Sequence, residues 1–541
     1  MIGLHRAACA VGTMLGLASC QTVAADAASG QTIMQQVDLL ITGGAIYDGS
    51  GGDAVSANLA IDDGEIIAIF DHDSPNYRGV STIDARGLVV APGFIDPHTH
   101  ATSDLASNDE MRRANLPFAH QGVTTVVIGN DGFGDTNIAE LASRTAQMGV
   151  GTNVAFLAGF GPIREAVLGT ANRAPTSTEL TQMKAAMRSA MCDGAWGLST
   201  GLYYVPQNYA KTDEVIALAK IAGEFGGYYD THMRDESTYN ITVSGAVQET
   251  IEIGVQAALP VHIAHIKALG PEVWGHSSKM IAAIEEARSD GLRVTADQYP
   301  WAASGTRISN ALVPRWALEG GLARLRERLS VEEEAKRIRN GMIAGLERRG
   351  GADRLLITAP LGGIDIVTGI TLADIAKTEE REPVDSAIAI LKQGDARLAS
   401  FNMNEADIAA FAVQDWVVTG SDGSTGHPRK YASFPKAYRD LVKKEGMPLA
   451  RFIRRSSGKT AEIIGLTDRG YLKPGYAADV VVFDPEEFAP VASYQNPREL
   501  SVGVRHLLVN GALAIKDGRY TGALSGKPLL KQSPASITAC D

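Results

Sequence analysis

From Leu88 to Gly423 the chain alternates eight short apolar runs with helical stretches, and few folds satisfy that order. The runs are LVVAPGFID, VTTVVIGN, TNVAFLAG, GAWGLST, GGYYDTHM, LPVHIAHI, LRVTADQYP and DWVVTGSDG, with segments such as ELTQMKAAMRSAM and KMIAAIEEARSDG between them. Near-continuous Val/Ile/Leu runs are what strands buried on both faces require, and strands separated by helices pair in parallel. Eight such units close into a (β/α)8 (TIM) barrel. A charged, helix-rich stretch from about 311 to 411 interrupts the alternation and is expected to be an insertion contributing to a lid. With 541 residues, 45% of them hydrophobic, the chain buries a large core behind an ordinary polar surface.

Short apolar runs broken by Gly-Gly, Asp-Gly and Gly-Ser turns begin at Gln36 and recur in GYLKPGYAADVVVFDP and VRHLLVNGALAIKDGRY, so both ends of the chain are expected to form β-hairpins. The net charge of −12 gives no basic field for phosphates, which excludes nucleic acid as a partner. Residues 1–25 have the make-up of a secretory signal peptide: a basic Arg6, an apolar stretch from Ala7 to Leu17, and small residues before Cys20. Leu17-Ala18-Ser19-Cys20 resembles the lipobox of bacterial lipoproteins, with cleavage before Cys20 and membrane attachment through its lipid. Cleavage after Val23-Ala24-Ala25, giving a free periplasmic or secreted protein, is the alternative; either places the protein outside the cytoplasm, and the lipobox reading in the periplasm. Of four cysteines, two (Cys9, Cys20) lie in the signal. The remaining pair, Cys192 and Cys540, implies no disulfide framework and cannot form a thiolate zinc cluster. Any metal is therefore held by His, Asp or Glu.

The first run leads straight into His98-Thr99-His100, where alternation along a strand points both imidazoles to one face. Apolar residues giving way to polar ones mark the C-terminal mouth of a barrel strand, where barrel enzymes keep their sites. His232, His265 and Asp422 end other runs in the same way. His262, three before His265, points to the opposite face and is expected to be a packed histidine with a satisfied ring nitrogen.

The segments GFIDPHTH, GVTTVVIGNDG, GLSTGLYYVP, THMRDES, HIAHIK, DQYPW, GSDG…HPRKYASFPK and KPGYAADVVVFDP resemble, in order, the motif series of the N-acyl-D-amino-acid deacylases of the amidohydrolase superfamily. The resemblance implies a distorted (β/α)8 barrel over residues 92–469, a small β-sandwich from residues 36–91 and 470–541, and one or two zinc ions at the barrel mouth. It implies His98, His100, His232, His265 and Asp422 as metal ligands, and Tyr204, Lys267 and Arg429 as residues lining the pocket for a small acylated amino acid or peptide. The chain departs from the family at one ligand. Where the family has G-N-C-G with a zinc-binding cysteine, this sequence has Gly129-Asn130-Asp131-Gly132. Asp131 is a competent but harder ligand, expected to complete a set with His232 and His265 while His98, His100 and Asp422 hold a second ion; a turn aspartate is the alternative.

The implied reaction is hydrolysis of an amide bond by metal-activated water, with Asp422 as general base and then general acid. Lys267 either carries charge into the pocket or pairs with Asp235 or Glu236. A cyclic amidase usually needs a carboxylated lysine on the fourth strand, and GAWGLSTG has none. Two rival readings stay open at the level of sequence: a deaminase of the same superfamily, and a lipid-anchored binding protein on an inactive barrel.

Overall fold

The computed structural model describes residues 34–71, 76–535 and 540; the signal segment, with Cys9 and Cys20, lies outside them. Eight strands follow one another around the barrel: β1 (Phe94–Asp96), β2 (Val123–Ile128), β3 (Asn153–Phe156), β4 (Gly197–Gly201), β5 (Tyr228–His232), β6 (Val261–Ile263), β7 (Val294–Gln298) and β8 (Val417–Thr419). Each neighbouring pair is parallel. The third strand reaches its two neighbours in succession, since β3 pairs with β2 and its continuation Ala158–Gly159 pairs with β4. Every residue of β2, VTTVVI, is buried, as its β-branched composition requires of a strand covered on both faces.

The ring closes beyond the apolar runs. β8 and β1 meet through a parallel bridge between Gly423 and Thr99, where Asp422 N donates to His98 O at 3.0 Å and His100 N donates to Gly423 O at 3.1 Å. The seam is thus made by the residues the sequence marks for chemistry.

Both chain ends share one nine-stranded sheet, in which Val480–Phe483 runs antiparallel to Val89–Pro92. The chain leaves that sheet for β1 through Gly93, whose absent side chain is necessary because a Cβ there would stand 2.2 Å from Thr124 Cγ2. Between β7 and β8 lies an inserted unit with its own apolar cluster, including Ile308, Leu325, Ile338, Met342, Leu355 and Leu398. Its three-stranded antiparallel sheet has Asp395–Ser400 at the centre, flanked by Ser304–Arg307 and Leu355–Leu361.

The expectation that the body cysteines leave no disulfide is corrected. Cys192, ending the helix Ser177–Cys192, is bonded to Cys540 with Cα atoms 5.5 Å apart across 348 residues of sequence. Two cysteines that far apart carry no readable spacing, and only the fold brings them within bonding geometry.

Candidate metal centre

The segment His98-Thr99-His100 is fixed by polar contacts below it. Asp96 accepts from His98 N at 3.2 Å and Ser421 N at 3.0 Å, joining the ends of β1 and β8. Burial pushes the Asp96 carboxyl up to about 7. Thr99, pointing away from the histidines, donates its hydroxyl to Val127 O at 2.7 Å, while Asn130 accepts from Thr99 N and donates to Pro97 O. His98 and His100 are thereby aimed across the mouth toward Asp131 and Asp422.

Asp131 stands at the centre. Its Oδ1 lies 3.4 Å from His98 Nε2, 3.5 Å from His232 Nδ1 and 3.3 Å from His265 Nε2, and its Oδ2 lies 3.5 Å from His100 Nε2. Among the described residues its carboxylate accepts no backbone N–H, which disfavours the turn reading, and its backbone carbonyl is held by Gln207 Nε2 at 3.0 Å. On the other side of the ring, His100 Nε2 lies 3.0 Å and His98 Nε2 3.7 Å from Asp422 Oδ1. Three of these residues, Asp131 (φ 58°), His265 (φ 37°) and Asp422 (φ 47°), sit in the left-handed region. Non-glycine residues enter it at a cost that clusters at functional sites.

The donor set fits a divalent cation. Two ligands each 2.0–2.1 Å from a tetrahedral zinc ion stand about 3.3 Å apart, the spacing found around Asp131 Oδ1. His98 Nε2 and Asp131 Oδ1 are both buried without a hydrogen-bond partner, an arrangement that is costly unless a cation lies between them. Two donor groups within one ion's reach are His98, Asp131 and His265, and His98, His100 and Asp422; a third is His232, Glu236 and His265. His98 therefore stands between the two expected sets rather than in one alone.

Two carboxylates lie behind the histidines. Glu236 faces His265 Nδ1 at 3.2 Å and His232 Nε2 at 3.6 Å, leaving the other nitrogen of each ring for the centre, the usual second partner of a ligating imidazole. Lys267 donates to Glu236 at 2.5 Å and also lines the pocket, so its two expected roles coincide. Asp297 lies 3.7 Å from His98 Nδ1 and 3.2 Å from His262 Nε2. His262 also bonds Thr295 Oγ1 at 2.9 Å and is a packed histidine with both nitrogens engaged. Sequence reasoning misses Asp297, whose only signal is an acidic residue late in an apolar run.

The pocket above the centre is lined by Tyr204, Tyr299 and Arg429. Tyr204 Oη lies 3.4 Å from His232 Nδ1. Arg429 is buried over the Tyr299 ring, with Nη1 2.7 Å from Asp422 Oδ2 and a partnerless Nε. Burial pushes the Asp422 carboxyl up, but Arg429, His100, His265 and His98 outweigh it and hold the group well below the usual carboxylate range.

Imidazoles and carboxylates converging at the C-terminal mouth of a parallel barrel, beside a buried guanidinium, define a metal-dependent hydrolase. Residues 81–306 and 395–515 match the amidohydrolase family. The chain is 31% identical to an N-acyl-D-aspartate deacylase of Alcaligenes xylosoxydans xylosoxydans, over 90% of this chain and 94% of that protein. It is also 31% identical to a D-aminoacylase of the same organism, over 93% and 99%. A crystal structure of N-acyl-D-glutamate deacylase from Bordetella bronchiseptica, complexed with zinc and a phosphonate inhibitor, superposes with a TM-score of 0.76 at 29% identity, covering 92% of this chain and all of that one. The chain belongs to the amidohydrolase family, in its branch of N-acyl-D-amino-acid deacylases.

Proposed function

We propose that the protein hydrolyses the amide bond of N-acyl-D-amino acids or related D-amino-acid-containing dipeptides. The observation that carries this reading is the meeting of His98, His232 and His265 on Asp131 Oδ1, beside an Asp422 paired with Arg429. One or two zinc ions would be held by His98, His100, Asp131, His232, His265 and Asp422. Zinc in such a site supplies a water acidic enough to attack near neutral pH and polarises the scissile carbonyl. Asp422, ionised and beside His100, takes the proton of the attacking water and delivers it to the departing nitrogen, without which an amide nitrogen leaves poorly. The free Nε of Arg429 is available to the α-carboxylate. The Tyr204 hydroxyl is placed to donate to the carbonyl oxygen. The fourth strand, Gly197–Gly201, carries no lysine, which argues against a carboxylated-lysine cyclic amidase. Metal analysis combined with a screen of N-acyl-D-amino acids, their L-enantiomers and dipeptides tests the reading; a zinc-loaded protein inactive on every amide would overturn it.

The same reading places the enzyme outside the cytoplasm, anchored in the periplasm by a lipid on Cys20. Its supports are the lipobox-like Leu17–Cys20 and the Cys192–Cys540 disulfide, since such bonds persist in oxidising compartments. Protein recovered wholly in the soluble extracytoplasmic fraction, starting at Asp26, would refute lipidation.

A further inference from the structure

At the end of β8 away from the metal centre the barrel floor holds a cavity of about 500 Å³. Gln414, Asp415 and Val417, which lead into and open β8, line it, whereas Asp422 follows the other end of that strand. Five basic side chains line it as well, Arg288, Arg451, Arg454, Arg455 and Lys459, against the single acid Asp415. Arg454 and Arg455 follow Arg451 by three and four residues on the helix Leu449–Ser456, a spacing that makes them neighbours on its surface. Like charges at that spacing destabilise a helix, so the cluster needs a reason. Another wall is backbone: a Cβ on Gly51 would stand 3.0 Å from Arg454 Cδ.

The carboxylates within reach are too few for these cations. Asp415 meets Arg451 at 2.9 Å, but its side chain is 88% exposed and water screens the pair. Glu285 lies 3.7 Å from Arg288 and also accepts from Trp416 Nε1 at 2.5 Å. Glu462 is shared by Arg454 at 3.4 Å, Lys459 at 3.9 Å and the Tyr471 hydroxyl. Arg455 is buried and has no carboxylate partner among the described residues. Its Nη1 donates to Ala412 O at 2.5 Å, while its Nε, like those of Arg288 and Arg454, is buried without a hydrogen-bond partner. Burial, reinforced by Arg451, pushes the Arg455 pKa down to about 10. Holding one carbonyl takes one donor and a guanidinium carries five, so the contact with Ala412 leaves most of the fork unused.

We infer that this cavity is a binding site for a small phosphate-bearing anion, separate from the metal centre. Crediting Asp415, Glu285 and Glu462 with one full charge each still leaves two of the five cations unbalanced. A phosphate group carries nearly two charges at neutral pH and offers three acceptor oxygens, enough for several donors at once. A planar carboxylate is satisfied by a single guanidinium fork. The overall charge of −12 gives no field for a polyanion, so the ligand is a single phosphate group or a short chain of them. Free phosphate and the head group of an anionic lipid share this chemistry. The site does not depend on the deacylase reading, since none of its residues lines the pocket above the metal centre.

Calorimetric titration of the zinc-loaded protein at constant ionic strength tests it, with inorganic phosphate, pyrophosphate and glycerophosphoglycerol as probes. Saturable binding is expected, with a melting temperature that rises as the probe is added. Arg455→Gln is expected to abolish that binding. Arg454→Gln with Lys459→Gln, at two partly exposed positions that leave the Ala412 contact intact, is expected to weaken it by at least about tenfold. The second variant decides the matter if the first does not fold. Phosphate held by zinc would be untouched by these substitutions, which separates the two sites. Tighter binding of phosphate or pyrophosphate identifies the free anion as the ligand, and tighter binding of glycerophosphoglycerol identifies the lipid head group; either upholds the site. If no probe binds, or if the only binding survives the substitutions, the inference is overturned.

Discussion

Arg429 Nη1 lies 2.7 Å from Asp422 Oδ2, so the residue assigned to the substrate carboxylate and the residue assigned to the proton are one ion pair. Changing either must disturb both functions. Arg429→Lys keeps the charge but loses the planar fork. We expect kcat to fall for all substrates through Asp422, while KM rises only for those with a free α-carboxylate and not for the corresponding primary amides. Equal KM changes for acid and amide would show that Arg429 serves Asp422 alone.

Asp422→Asn removes the proton acceptor and one oxygen facing His100. General acid–base catalysis contributes about 10²–10⁴ in rate, so kcat should drop at least that far while the fold persists. Activity within about tenfold of wild type would refute the assignment.

The Asp131 pair of variants separates ligand from scaffold. Asp131→Ala should strip the tighter metal and abolish activity, because it removes the one oxygen shared by three imidazoles. Asp131→Cys should retain zinc, since a thiolate is at least as good a ligand at about 2.3 Å. Both variants binding zinc like wild type, with only thermal stability reduced, would leave the site to the histidines and Asp422.

Cys192→Ser should lower the melting temperature by a few degrees and make it insensitive to reductant, because closing a long loop contributes at most about 5 kcal/mol. Metal content and kcat should stay near wild type, as the bond lies at the end of the helix Ser177–Cys192, outside the pocket lining. Unchanged melting of the variant and of reduced wild type would show that the bond adds nothing to the stability of the folded chain.

The strand ends are legible in the sequence because one physical rule, apolar run into polar mouth, governs them locally. His98, His100, His232, His265 and Asp422 can be placed that way, and the structure brings all five together with Asp131. What stays hidden depends on neighbours distant along the chain. Glu236 and Asp297 gain their places behind the rings only when β5, β6 and β7 stand side by side. The strand Ser304–Arg307 has no apolar alternation to announce it, being stabilised by the register it takes beside Asp395–Ser400. The disulfide is invisible for the same reason, with 348 residues between its cysteines.

The seam at Thr99 and Gly423 has a consequence for how the centre is acquired. His98 and His100 are synthesised more than three hundred residues before Asp422, yet their shared face exists only once the last strand has docked against the first. A growing chain that has not passed Gly423 can offer a metal only part of its ligands. Metal loading is therefore expected to follow closure of the ring, once Asp422 stands beside His100.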